Sequence, residues 1–352
     1  MTCNNETVFS DNDVSYVVIS LQGPSVSVHD VESPGKYQCL DGHNAQITCM
    51  RLMPSTGLLS LRNSGTDTDP VVITSSMDHT IRLWRKMGSN RRVMALRTLR
   101  GHLGPVATLS NNLLGGQYGK PTLASGGMDG TIRLWNLSSG QKRGSSPLVK
   151  TFHGHEFAVK QLVVAEYNPS LLLSAGKDSK LRVWDVTSTS TGALVGSIKR
   201  PGIPVGLACK GSMCFVAGGS SLMLVDIRSM LNITTIGAHE CGILNFCMPA
   251  SGNLVCTGGA EKSAKLWDLR NVEEPYATLG GHEGDVSFVH MDYYKVVTGG
   301  SGSAAGAIQY RDYSNCTVPI RQDVLGDFQE ESSKFWETSF LDAGTATNGV
   351  ED

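Results

Sequence analysis

Nine histidines, three aspartates in small-residue turns and the serines or threonines beside them are the residues of this chain that could do chemistry. Imidazole between a hydroxyl and a carboxylate is the make-up of a nucleophilic triad, in which the ring takes the hydroxyl proton and the carboxylate fixes the tautomer. Here, however, the groups recur. His43, His102, His155, His239 and His282 each end a phrase of an apolar residue, any residue and a small residue, as in Leu40-Asp41-Gly42-His43 and Leu279-Gly280-Gly281-His282. Asp78, Asp129 and Asp178 end the phrases Thr74-Ser75-Ser76-Met77-Asp78, Ser125-Gly126-Gly127-Met128-Asp129 and Ser174-Ala175-Gly176-Lys177-Asp178. An active site is built once, whereas a residue repeated in register belongs to a scaffold. His29, His79, His153 and His290 stand outside the phrase, with no HExxH or paired-cysteine motif beside them. No G-x-S-x-G or phosphate-binding loop is present. The reading is a protein that is not an enzyme, with no catalytic residues, cofactor or metal.

A third phrase sets the period. Ile81-Arg82-Leu83-Trp84, Ile132-Arg133-Leu134-Trp135, Leu181-Arg182-Val183-Trp184 and Ala264-Lys265-Leu266-Trp267 are four copies of one strand. Weaker copies lack the tryptophan and place His29, Val225 and Arg311 at its position. The aligned positions 29, 84, 135, 184, 225, 267 and 311 are 41 to 55 residues apart. Later spacings match the ~40–45 residues of a four-stranded repeat unit. Each unit offers short alternating strands that cannot bury their faces alone, and radial stacking buries them.

Composition narrows the partners. A net charge of −2 and a pI near 6.5 leave no electrostatic footprint for nucleic acid or an anionic membrane. No apolar run approaches the ~18 residues of a membrane span. Nine scattered cysteines, an odd number without C-x-x-C, and a polar opening unlike a signal peptide imply reduced thiols in cytoplasm or nucleus.

With these phrases in register, the chain resembles a WD40 repeat protein over about residues 14–312. The resemblance implies an all-β fold, a WD40 β-propeller of about seven four-stranded blades. It also implies buried sets of His43/Thr74/Trp84/Asp78, His102/Ser125/Trp135/Asp129 and His155/Ser174/Trp184/Asp178. Residues 1–13 are expected to be a disordered N-terminus, 14–340 the propeller and 341–352 a disordered acidic tail. Tyr16–Ser20, Val26–Asp30 and Lys36–Leu40 read as three strands of one blade, with Lys334–Phe340 supplying the missing inner strand and closing the ring. Residues 54–69 read as a surface loop.

Function then lies in the loops of one face. By the resemblance, Gln46, Leu103, Phe157, Glu240 and Asp285 occupy matching positions in loops entering the inner strands, next to Met77, Met128 and Lys177. Exposed Met and Phe suit peptide recognition. Trp267-Asp268-Leu269-Arg270 resembles the W-D-x-R pattern of substrate receptors that dock on cullin-4 ubiquitin ligases, and Asp226-Ile227-Arg228 is a partial copy. The stretches 101–109, 123–139, 291–300, 310–315 and 332–336 resemble plant F-box/WD-40 repeat proteins, although no F-box is expected ahead of the first strand. The partners so implied are a substrate peptide and ubiquitin-ligase adaptor subunits. Seven Lys/Arg between residues 82 and 100 read as a solvated hairpin or a patch for an acidic partner, and 322–352 hold eight Asp/Glu against one lysine.

Overall fold

Short runs rich in Val, Ile and Leu, divided by Gly, Ser and Asp, make antiparallel hairpins: alternate side chains go to opposite faces and the turn residues reverse the chain. The structure, a computed structural model, describes residues 5–11, 14–20, 23–30, 37–53, 71–87, 92–115, 121–138, 146–188, 193–200, 202–249, 253–271, 273–291, 295–300 and 308–312. Every regular element among them is a β-strand.

The strands form seven antiparallel sheets in chain order, spanning residues 5–40, 47–100, 106–152, 159–199, 204–237, 243–279 and 286–312. In the second sheet Ile47–Met53, Val71–Ser76, Thr80–Met87 and Arg92–Arg100 pair in that order. The third sheet has an extra short strand, Leu114–Gly115, that shares Pro121–Gly127 with Val106–Leu109. The seventh shows three described strands. The first strand of each sheet packs on the first strand of the next, from Asn5–Asp11 to Val286–Met291, which is the radial order of a propeller.

No blade buries its own faces. Each apolar cluster draws on two neighbouring sheets: Ile73, Leu83 and Cys49 of the second lie with Leu109, Leu123 and Trp135 of the third. Trp184 of the fourth packs with Ala124 and Leu134 of the third. Trp267 of the sixth packs with Phe215 and Leu222 of the fifth. The second strand is therefore buried along its whole length, as in Val71–Ser76 and Leu254–Gly259, while the outer strand Leu231–Gly237 is mostly exposed.

A bulge near the start of the first strand recurs in the second to the seventh sheets. Such a bulge adds a residue to one strand and sharpens the local twist. Beside the bulges, polar side chains reach to the adjoining blade. The Thr48 hydroxyl donates to the Val106 carbonyl, Gln161 to that of Val205 (2.8 Å) and Asn245 to that of Ser287 (3.0 Å).

The N-terminus differs from expectation. Asn5–Asp11 is not outside the fold but pairs with Val14–Ser20 as the inner strand of the first sheet, in register from Asn5↔Ser20 to Asp11↔Val14. Asn12-Asp13, between the two strands, has turn chemistry. The polar composition of 1–13 hid this hairpin. Asn5–Asp11 thus stands at the inner position of the first sheet, where Lys334–Phe340 was expected. That segment, the tail 341–352 and the insertion 54–69 lie outside the described residues.

Candidate binding face

The recurrent polar residues assemble at the end of each blade where the chain enters the inner strand. In the second blade Trp84 Nε1 donates to Thr74 Oγ1 (2.8 Å), which lies 2.8 Å from His43 Nε2, and His43 Nδ1 is 2.9 Å from Asp78. The third repeats this with Trp135–Ser125 2.7 Å, Ser125–His102 2.7 Å and His102–Asp129 3.1 Å. The fourth has Trp184–Ser174 2.8 Å, Ser174–His155 2.7 Å and His155–Asp178 2.9 Å. All three expected sets are therefore brought together.

Proton accounting gives the set of the second blade one direction. Indole donates to the hydroxyl oxygen, the hydroxyl proton goes to Nε2, and Nδ1–H donates to the carboxylate. This requires neutral imidazole. In the fourth blade Arg182 Nη1 also lies 2.7 Å from His155 Nδ1 and donates to Asp178 at 2.6 Å. Burial lowers the pKa of His43 and His155, outweighing the raising effect of Asp78 and Asp178. Burial alone would raise Asp78, yet hydrogen bonds from Thr80, the Asn44 amide and His43 prevail and hold it well below the usual carboxylate range. Asp129 is held down against burial in the same way, by His102 and Thr131. These are not triads poised for attack. Thr74, Ser125 and Ser174 are fully buried, with tryptophan and histidine on their oxygens.

The carboxylate also fixes the loop. The backbone amides of Asn44, Leu103 and Glu156, each one residue after the histidine, lie 3.0, 2.9 and 3.3 Å from Asp78, Asp129 and Asp178. The turn after the acid is left-handed at His79, Gly130 and Ser179 (φ 67°, 73° and 57°). His79 is thus a turn residue. A Cβ on Gly127 would stand 2.3 Å from Asp129 Oδ1 and 2.6 Å from His102 Nδ1, whereas the second blade carries Ser76 at the matching position.

Sequence reading missed a fourth complete set. His239, Thr257, Trp267 and Glu261 are joined at 2.9, 2.8 and 2.9 Å, and Glu261 also holds the Glu240 amide at 2.8 Å. Glutamate hid it, since the turn phrase was defined by aspartate. Against burial, Lys265, the Glu240 amide and His239 hold Glu261 down to about 2. His282 lies 2.7 Å from Thr298 in the seventh blade.

The other predicted residues divide between the two ends of the blades. Gln46, Met77, Leu103, Met128, Phe157, Lys177, Glu240 and Asp285 all lie at the end carrying the polar sets. Backbone bonds tie Met77 to Gln46, Met128 to Pro105 and Lys177 to Ala158, each at 2.8 Å. Leu103 is 82% exposed, Phe157 60%, Met77 and Met128 38% each. Exposed Ile203 belongs to the same end and was missed, because its repeat lacks the histidine phrase. The loop positions are not strictly equivalent. Leu103 and Glu240 follow the histidine directly, Phe157 is one further on, and Gln46 and Asp285 are two further on.

Asp226, Arg228, Asp268 and Arg270 lie at the opposite end. Trp267 is buried in the polar set of the sixth blade. Arg270 is forked onto Asp268 (3.2 and 3.0 Å), and Arg228 covers the Tyr167 ring at 5.2 Å. In the basic stretch, Arg85 is buried and Arg97 reaches the Asn136 carbonyl (3.3 Å), so that stretch is not simply a solvated loop.

Seven radial antiparallel sheets with a buried Trp–hydroxyl–His–acid set define a β-propeller scaffold. The chain carries WD40 repeats: the family model "WD domain, G-beta repeat" matches residues 35–85, 94–136, 146–185 and 231–268. It is similar to the U5 small nuclear ribonucleoprotein 40 kDa protein of Dictyostelium discoideum, 27% identical over 52% of this chain and 49% of that one. It is also similar to a guanine nucleotide-binding protein subunit beta of Arabidopsis thaliana, 23% identical over 59% and 56%. A 78-residue stretch is 37% identical to human striatin-3, covering 20% of this chain and 9% of the other. The chain thus spans less than two thirds of each of these relatives. A chain in a solved structure, "Crystal Structure of Mitotic Checkpoint Complex", shares the fold with TM-score 0.64, 15% identity and coverage of 85% and 84%.

Two outcomes follow. Asp129→Ala leaves His102 Nδ1–H and the Leu103 amide without their acceptor and should cost about 1–3 kcal/mol in a denaturation series. An unmoved midpoint would contradict the set. Acid should act in two stages. Histidines with lowered folded pKa bind protons more readily when unfolded, so stability is lost as pH falls below about 6.5. The depressed carboxylates contribute stability that is present above the ordinary carboxylate range and is lost below it. Melting temperatures should therefore fall from pH 7 to 5 and further below 4, and a flat profile from pH 7 to 5 would contradict the lowered histidine pKa values.

Proposed function

We propose that this chain is a protein-interaction scaffold whose polar-set end binds a segment of another protein, the substrate in a recognition or adaptor role. The observation that carries this reading is Leu103 and Phe157. Two large apolar side chains stand in water on loops whose neighbouring amides are pinned by buried carboxylates. Apolar groups held rigidly in solvent lose little conformational entropy on binding and gain the area removed from water. Met77 and Met128 beside them supply adaptable contact. Cytoplasm or nucleus is the proposed location, in keeping with the scattered thiols.

The link to ubiquitin ligases is the finer part of the proposal. Arg270 at the opposite end is partly exposed and oriented by Asp268, so an adaptor docked there would leave the apolar end open to substrate.

Leu103→Ala with Phe157→Ala should reduce captured partners at least tenfold in a pull-down from plant extract, with an unchanged melting temperature. Capture of the same proteins in the same amounts would refute the assignment of this face. In the same experiment, cullin-4 adaptor recovered with the native chain and lost with Arg270→Ala supports the ligase link, and its absence from both removes that link alone.

A further inference from the structure

The loop before the fifth sheet carries an arginine where five other loops carry histidine. Arg200 stands four residues before Pro204, the first paired residue of its sheet. His43, His102, His155, His239 and His282 stand four before Ile47, Val106, Val159, Ile243 and Val286. The rest of the set is gone: Val216 replaces the hydroxyl residue and Val225 the tryptophan. The acid is lost by deletion. Ala217 pairs with Leu222 across four residues, where Ala175 pairs with Leu181 across five.

What remains is a buried cation without its carboxylate. Arg200 is 3% exposed, and its Nε and Nη1 have no hydrogen-bond partner. Guanidinium has only donors and stays charged, and leaving such a group unpaired costs more than leaving a neutral one. Burial lowers its pKa to about 10, with only the Cys214 thiol acting in the other direction.

Besides the Cys214 side chain, the backbone of Gly218 and the Ile203 carbonyl lie close to the guanidinium. A Cβ on Gly218 would stand 2.3 Å from Arg200 Nη2, so the guanidinium ends directly beneath the hairpin turn. Gly202, Gly219 and Gly242 converge there, all with positive φ (73°, 57° and 119°), and exposed Ser220 and Ile203 form the rim.

We propose that Arg200 receives an oxyanion, carboxylate or phosphoryl, borne by the polypeptide that docks on this face. The anion takes the place of the deleted turn carboxylate, and the fifth blade is thereby the polar anchor beside the apolar contacts of the third and fourth. This inference rests on the binding face proposed above.

The test reads small anions directly, without the unknown partner. In protein labelled with 15N-arginine, the Arg200 Nε–Hε signal is identified by its loss in Arg200→Gln and Arg200→Lys. Inorganic phosphate and acetate are titrated separately at constant ionic strength. A saturable shift of that signal, with a melting temperature raised several degrees in the native chain and not in Arg200→Gln, is the expected result. Saturation by phosphate alone assigns a phosphoryl group; saturation by acetate assigns a carboxylate. A signal that does not move with either anion, or an equal rise in melting temperature in Arg200→Gln, overturns the site. Should Arg200→Gln fail to fold, the native titration and Arg200→Lys still decide. Partner capture that depends on Leu103 and Phe157, without anion binding, would remove Arg200 and keep the face.

Discussion

The buried carboxylate at the β-turn of each complete blade is the constraint on which the molecule depends. It accepts from histidine on one side and from the backbone of the entering loop on the other, so one group joins turn, loop and core. The proton order from tryptophan to carboxylate leaves no donor over, which is the condition under which polar groups are tolerated in an apolar interior. Because two neighbouring sheets share each apolar cluster, the anchored end of each complete blade also fixes where the next begins.

Much of this was legible in the chain, and the exceptions have physical causes. Tryptophan and histidine are scarce and sit with aspartate at fixed offsets, so the family resemblance could name the residues of three sets before any geometry. Glu261 escaped because a longer acid reaches the same oxygen position from a turn that looks different. The strand Asn5–Asp11 escaped because backbone pairing needs no distinctive composition, and a polar segment reads as disordered when its partner strand is not considered. Arg200 escaped because substitution and deletion together erase the phrase that would mark its position. Individual loop equivalences blurred for a similar reason. Exposed residues vary in spacing, and only the hydrogen bonds to the carboxylate show which one follows the histidine.

Rigidity and the proposed binding role meet at the same loops. A loop carrying exposed leucine or phenylalanine would fold its apolar groups inward if its backbone were free, and the carboxylate bonds oppose this. The fifth blade breaks the pattern at the same end, replacing an internal acid with an unpaired cation. Repetition therefore builds the platform, and departures from repetition give it a direction.

Hydrogen exchange at single amides reaches this claim most directly. The amides of Asn44, Leu103 and Glu156 belong to surface loops, yet each is bonded to a carboxylate within the scaffold. The account predicts that they exchange as slowly as strand amides of their blades and are released together when the carboxylate of that blade is removed. Exchange in the native chain at the rate of an unstructured loop would contradict it.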